Sequence, residues 1–348
     1  MERFAEDRVA EAAQLGQDAV LLAGAATAAL IGGKRLRARF CLTGWRAVAH
    51  ASGRTQPPSE DVIAAAGALE IFHAAALVHD DLIDNSDTRR GRPAAHRSLQ
   101  SQHDAHGWHG DAAGFGRSSA ILLGDLLVAW SDDLLEEGLR QSPHADHARR
   151  EYARMRREVT MGQYLDLVEE AAAATVDSSE HAERALRVAT YKSARYSVQQ
   201  PLLIGAALAG GDQEQVDALA RFGLPLGLAF QLRDDVLGVF GDAEVTGKPS
   251  GDDLREGKRT LLIAYALDSL PAGPRRTLEE LLGDPQLDDE QVTYLQSTIA
   301  ASGALDRVER LISDYANDAD RALRGAALDN AAVGSLRDLA RASVSRTS

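Results

Sequence analysis

The apolar residues of this chain do not alternate, and that limits its fold more than anything else in the sequence. Alanine and leucine dominate, aromatics make up only 5%, and β-branched or aromatic runs of period two are scarce. Apolar residues recur instead at helical spacing along Val62–Asp84, Ser118–Leu139 and Ala182–Leu208, with few breakers. Alanine and leucine are the strongest helix formers, and periodicity of this kind marks amphipathic or buried helices. An all-α protein is predicted, with on the order of ten to fifteen helices at ordinary helix lengths. No solenoid-type repeat and no long polar linker interrupts the pattern, so one helical domain spanning residues 1–348 is the simplest organisation.

Composition narrows the function. With 348 residues, 38 Lys+Arg and 52 Asp+Glu, the net charge is 38 − 52 = −14. That balance argues against nucleic acid as the main partner, because phosphate backbones need a basic footprint. The single Cys41 excludes an intrachain disulfide framework and a cysteine-based zinc site. The longest apolar stretch, Val20–Ile31, contains Gly24 and Thr27 and is short of the roughly 20 residues a bilayer crossing needs. Glu2, Arg3, Glu6 and Asp7 do not resemble a secretory signal. A cytoplasmic protein without a membrane span is expected.

Loops are predicted at Ser52–Glu60, with Ser59 as an N-cap, and at Gln141–His147, Thr175–Ser179, Gly241–Gly257 and Pro271–Asp289, all marked by Gly, Pro, Ser or Asp. Gln100–Gly116, which contains His103, His106 and His109, also reads as a polar loop; nothing there fixes a zinc geometry. Trp45 and Trp130 read as core, and the acid-rich Asp284–Glu290 as a solvated helix start.

Four clusters carry chemistry. The run His79-Asp80-Asp81-Leu82-Ile83-Asp84 ends the apolar helix Leu69–Val78. Spacing of four stacks Asp80 and Asp84 on one face. Such a pair repels itself unless a cation compensates, and hard carboxylate oxygens suit Mg²⁺ with its waters and substrate phosphates. Arg89 and Arg90 follow, placing anion donors beside the cation site.

A second acidic cluster, Gln231-Leu232-Arg233-Asp234-Asp235, follows the apolar run Phe222–Phe230 and is expected to end that helix too. Gly247-Lys248 and Gly257-Lys258 lie beyond it, in a loop suited to close over a diphosphate. A third cluster, Gly32-Gly33-Lys34-Arg35-Leu36-Arg37, places Lys34 and Arg37 three apart at a helix start, on a common face. The fourth is Tyr191-Lys192-Ser193, whose lysine sits in a helix apolar enough to be core and must snorkel, pair or bind something.

Taken in order, these segments resemble the trans-polyprenyl diphosphate synthases, in particular the geranylgeranyl-type enzymes of actinobacteria. The resemblance runs from about Gly32 to Leu262 through GGKRLR at Gly32–Arg37, HDDLIDNSDTRRGRP at His79–Pro93 and KS at Lys192-Ser193. FQLRDD at Phe230–Asp235 and TGKPSGDDLREGKRT at Thr246–Thr260 complete it. It implies an all-α fold around a central cavity, a homodimer and three Mg²⁺ ions. Asp80, Asp84 and Asp234 would ligate metal, with Asp81, Asp235 and Lys192 in the catalytic set. Arg89, Lys192, Ser193, Gln231, Lys248 and Lys258 would hold an allylic diphosphate (dimethylallyl, geranyl or farnesyl). Lys34, Arg37, His73 and Arg90 would hold isopentenyl diphosphate.

The reaction implied is head-to-tail condensation: Mg²⁺ and basic side chains stabilise the departing diphosphate, and the isopentenyl double bond attacks the allylic cation. The family's usual DDxxD ends here in Gly238, which leaves Asp242 or Asp235 to compensate. In many relatives the residues four and five before the first aspartate set the floor of the hydrocarbon tunnel. Here these are Ala76 and Ala75, and the next bulky residue is Phe72, about 12 Å below Asp80 at 1.5 Å per residue. Small residues there favour a C20 product over C15, with C25 or longer as the alternative. A class I terpene cyclase shares one acidic motif but needs no second diphosphate pocket, so Lys34, Arg37 and His73 speak against it. A non-catalytic partner subunit is the remaining alternative; such partners usually lose acidic motifs.

Overall fold

The computed structural model describes residues 1–173, 175–241 and 250–344, so Lys248 and Asp242 lie outside the described residues. The described structure is helical apart from one two-stranded hairpin. Its contacts group into two compact units, Met1–Leu42 with Pro57–Ala145, and Thr43–Gln56 with Asp146–Ser348.

The first unit contains α1 (Glu2–Ala12), α2 (Gln17–Ala29), the start of α3 (Leu36–Ala51), α4 (Glu60–Ile83), α5 (Ala95–Ala105) and α6 (Ala112–Leu139). Ser59 is the N-cap residue of α4 as expected, although its hydroxyl pairs with Asp61. The long helices α4 and α6 pack along each other. Ile71, Ala74, Ala75 and Val78 of α4 meet Leu123, Leu127 and Trp130 of α6 in one apolar cluster. Phe4 of α1 closes that cluster edge-on to Trp130, at 6.3 Å between ring centroids. Each fully buried leucine or isoleucine there contributes about 2 kcal/mol relative to exposure. Both α4 and α6 are long and apolar enough to cross a bilayer by length and composition, but α4 spends that apolar surface on this packing.

The second unit contains the rest of α3, α7 (Ala145–Ala172) and α8 (His181–Val188), a π-helical segment (Ala189–Gln199), α9 (Gln200–Leu208) and α10 (Gln213–Phe240). Five shorter helices and one longer follow: α11 (Asp252–Glu256), α12 (Leu261–Ser269), α13 (Ala272–Leu281), α14 (Asp289–Ala301), α15 (Ala304–Ala322) and α16 (Asn330–Val344). The central helix α10 starts in a capping box between Asp212 and Gln215 and packs against α15 and the π-helical segment. Leu232, Val236 and Val239 of α10 share a core with Leu261, Leu262, Val308 and Ile312.

Several sequence expectations are corrected. Gln100–Gly116 is largely helical: α5 continues to Ala105 and α6 begins at Ala112. His103 is buried between Trp108 and Phe115, and this aromatic packing overrides the polar composition. Pro271–Asp289 contains α13, because Pro271 serves as an N-cap where its missing N–H costs nothing. The second acidic cluster does not end a helix, since α10 runs on to Phe240 with Val236 and Val239 buried. Lys34 precedes α3, which starts at Leu36, so Lys34 and Arg37 do not share a helix face. Gly32, Gly33 and Arg35 all have positive φ and hold the approach to α3 out of helical geometry. Trp45 and Trp130 are core as expected.

Candidate active site

In the first unit the chemistry gathers at the C-terminal end of α4. Asp84 is the C-cap, its N–H donating to Asp80 O at 2.8 Å, so the two carboxylates stand one turn apart as the spacing predicts. Asp81 is buried, and it takes the guanidinium of Arg89 through Nε at 2.7 Å and through Nη2. The same Nη2 lies 3.8 Å from Asp80 Oδ2. Arg89 is thus a bridge between two acids rather than a lone anion donor.

Its position comes from the hairpin: Thr88–Arg89 pairs with Arg92–Pro93 across a two-residue turn of Arg90 and Gly91, both at positive φ (53° and 70°). That turn carries Arg90 over Gly33, where a Cβ would lie 2.8 Å from Arg90 Nη2. Arg90 Nη1 reaches Ile31 O at 3.4 Å. Among the described residues, the non-glycine residues with positive φ are Arg35, Asn85 and Arg90, all around this cluster. Such backbone strain is characteristic of functional sites.

Glu70 was missed by sequence reasoning. Its buried carboxylate accepts from Ala38 N at 2.9 Å and lies 3.8 Å from Arg35 Nη1, pinning the start of α3 to α4. The available signal was a lone acid inside an apolar helix. About two turns below Asp80 on α4 is His73. Burial, then the charges of Arg37, Arg90, Arg89 and Arg35, hold its pKa well below the usual imidazole range. His73 is therefore neutral at pH 7 within a ring of guanidinium groups, an arrangement suited to a polyphosphate anion.

The two alanines of the floor separate here. At 100° per residue Ala76 lies about 40° around α4 from Asp80, whereas Ala75 lies about 140° away. Ala75 is fully buried in the α4–α6 core, while Ala76 is half-buried. Phe72 is buried. A cavity between α2, α5 and α6, lined by Leu21, Leu22, Leu99, Trp108, Phe115 and Leu122 among others, includes none of the motif residues.

In the second unit Lys192 lies in the π-helical segment and pairs with Asp166 of α7 at 2.5 Å. Gly162, one turn before Asp166, makes this reach: a Cβ there would sit 2.6 Å from Tyr191 C and 2.7 Å from Lys192 Cα. Asp166 ends the stretch Gly162-Gln163-Tyr164-Leu165-Asp166, which resembles a family helix lining the cavity and by itself carries no signal. Ser193, next along the π-helical segment, is half-buried. On α10 Asp234 is exposed and Asp235 buried. Gln231 Nε2 donates to Asp235 Oδ1 at 2.7 Å. Burial, then the charge of Asp253, pushes the Asp235 carboxyl up to about 8. Lys258 lies 2.7 Å from Glu256 and 3.9 Å from Asp253.

The donor set fits Mg²⁺. The exposed or half-buried acids Asp80, Asp84 and Asp234 offer only hard oxygen ligands. Among the described residues no group of three His, Cys, Asp or Glu converges to hold a metal alone. Mg²⁺ takes one or two carboxylates and completes its shell with water and substrate phosphates.

A polyprenyl synthetase family profile matches residues 19–299. This chain belongs to the polyprenyl synthetase family. The synthase is therefore a prenyltransferase of all-α fold. It superposes on a crystal structure of geranylgeranyl pyrophosphate synthase from Corynebacterium glutamicum, complexed with isoprenyl diphosphate and magnesium. The TM-score is 0.93 at 36% identity, covering 99% of this chain and 96% of that one. It is 32% identical to a short chain isoprenyl diphosphate synthase of Methanocaldococcus jannaschii over 67% of this chain and 64% of that relative. It is also 32% identical to a geranylfarnesyl diphosphate synthase of Aeropyrum pernix, over 80% of this chain and 79% of the relative.

Proposed function

We propose that this synthase condenses isopentenyl diphosphate head-to-tail with an allylic diphosphate and releases mainly geranylgeranyl diphosphate (C20). The observation that carries the reading is the end of α4. There Asp80 and Asp84 stack one turn apart, with Arg89 held across Asp80 and Asp81 and neutral His73 about two turns below Asp80 among guanidinium groups.

Bound Mg²⁺, three ions by analogy with the family, would neutralise the charge developing on the departing diphosphate. Asp80, Asp84 and Asp234 are assigned as its ligands. Arg89, Lys192 and Lys258, with Lys248, Ser193 and Gln231, hold the allylic diphosphate. The carboxylates Asp81 and Asp166 hold the first two of these cations in place before substrate arrives, which removes reorganisation from the ionisation step. Lys34, Arg37, Arg90 and His73 hold isopentenyl diphosphate, and the neutral imidazole donates a hydrogen bond without adding charge. The proton lost after carbon–carbon bond formation goes to the released diphosphate, so no side-chain base is required.

Ala76 leaves the acid face of α4 open below the reacting carbon, which favours C20 over C15. A longer product is the second reading, favoured by the same open position and by the geranylfarnesyl synthase among the relatives. Incubation of the purified protein with isopentenyl diphosphate, Mg²⁺ and C5, C10 or C15 primers tests both readings, with chromatography of the dephosphorylated products. A C20 alcohol is expected; no product from any primer overturns the assignment.

The enzyme is assigned to the cytoplasm and to a homodimeric state. The exposed apolar residues Ile121 and Leu122 of α6 are the surface a second copy would cover. Light scattering should give twice the 37.2 kDa of one chain.

A further inference from the structure

We propose that the cavity between α2, α5 and α6 binds a lipophilic organic cation, an alkylammonium in chemical class, at a site separate from the catalytic one.

The cavity holds about 400 Å³, within the roughly 300–1,000 Å³ usual for small-molecule sites. Its walls come from three helices of one compact unit. Leu21 and Leu22 of α2, Leu99 of α5 and Leu122 of α6 offer an alkyl chain apolar contacts on each of those helices.

Two aromatic rings complete the wall, Trp108 and Phe115, with centroids 5.2 Å apart. His103 and His106, from the segment read as a polar loop, hold Trp108 in place. His106 stacks on it at 4.9 Å, and buried His103 meets it edge-on at 6.0 Å. The Trp108 N–H donates to His103 O at 3.3 Å and closes the turn. The indole is thereby set before a ligand arrives, which removes an ordering cost from binding. Indole is also the strongest aromatic partner for a cation.

Charge selects the ligand. Asp18, in the first turn of α2, is exposed and makes no ion pair among the described residues. The other polar groups on the wall, Gln102 and Ser119, are neutral, and among the described residues no lysine or arginine lines it. An acid in the first turn suits the helix dipole, but that role alone does not call for leucines and a fixed indole beside it. A diphosphate or carboxylate meets only repulsion here, whereas an ammonium meets a carboxylate and an aromatic platform. The cavity is opposite in charge preference to the arginine-rich end of α4.

Octyltrimethylammonium is the probe, with octanol and octanoate as neutral and anionic controls of the same chain length. Trp45 and Trp130 are buried in the core, so a change in intrinsic fluorescence reports Trp108, and calorimetry gives the affinity. Saturable binding of the cation at one site per chain is expected, with octanol weaker and octanoate weakest. Asp18→Asn should weaken the cation by about threefold to fivefold and leave octanol unchanged. Trp108→Leu should weaken it by about tenfold. Affinity should be the same with and without Mg²⁺ and inorganic pyrophosphate.

Equal affinity of Asp18→Asn and wild type for the cation overturns the inference, as does octanoate binding as tightly as the cation. Affinity that depends on Mg²⁺ and pyrophosphate places the probe in the catalytic site and overturns it too. Leu122 also lies on the face assigned to a second copy, so light scattering accompanies the titration. An unchanged mass is expected; dissociation by the probe makes the cavity the seat of the partner and overturns the ligand site.

Discussion

Lys192 Nζ and Asp166 Oδ2 meet at 2.5 Å between the π-helical segment and α7. Neither residue is placed by its own helix alone. Gly162 lets the two backbones close on each other, and the π-helical segment turns Lys192 toward α7; segments of this kind recur at functional sites. The pair converts a flexible ammonium into a cation of defined position, which is what a phosphate site needs.

Asp166→Asn should lower kcat/KM by about tenfold, as loss of a positioning partner commonly does. The melting temperature should hardly move, because both side chains are partly exposed and such pairs add little stability. Gly162→Ala should behave in the opposite way, losing about 1–3 kcal/mol of stability by overpacking against main-chain atoms that cannot step aside. Steady-state kinetics and denaturant titration of both variants check the contrast.

Arg89 and Asp81 form a largely buried ion pair, with Asp81 almost inaccessible. Arg89→Ala removes the guanidinium from that buried carboxylate and should cost about 3 kcal/mol. Adding Asp81→Ala to the same chain should recover part of the loss. Denaturant midpoints of the single and double variants give the coupling, and a double variant as unstable as the sum of its parts would contradict it.

Ala75 and Ala76 differ by one residue and by about 100° around α4. Ala76→Phe should shorten the product toward C15 while the fold stays intact. Ala75→Phe should leave the product length unchanged and destabilise the α4–α6 core by about 1–3 kcal/mol. Product chromatography beside thermal melts distinguishes the two; shortening by Ala75→Phe alone would reverse the assignment.

Cys41, the single cysteine, is fully buried on α3, and burial pushes its thiol up to about 12 from an ordinary value near 9. Above pH 9 the unfolded chain ionises this thiol and the folded chain does not. The unfolded state then binds fewer protons, and stability falls as pH rises from about 9 toward 12, by up to 1.4 kcal/mol per unit. Cys41→Ala should flatten that alkaline slope in denaturant titrations. Thiol reagents at pH 8 should label Cys41 only after unfolding.

Much of the local chemistry was legible. The i, i+4 spacing placed Asp80 and Asp84 correctly because both fall within one turn of the end of α4. Ala and Leu content gave the helical class for the same reason: propensity and periodicity act over neighbouring residues. Distance along an axis does not carry rotation, and burial separates Ala75, which packs in the α4–α6 core, from the half-buried Ala76. Glycines at 32 and 33 moved the start of α3 beyond Lys34, and aromatic packing of His103 turned an expected loop into helix. Glu70 and the pairing of Asp166 with Lys192 escaped notice because the partners lie far away in sequence, on other elements.

The sequence by itself determined the helical class, the family and the residue types of the two acidic motifs, since these depend on periodicity and on short ordered strings of residues. The tertiary structure decided which carboxylate holds which cation and what fills the space beside Gly238. Those outcomes depend on how closely two backbones approach, a quantity that no single segment carries.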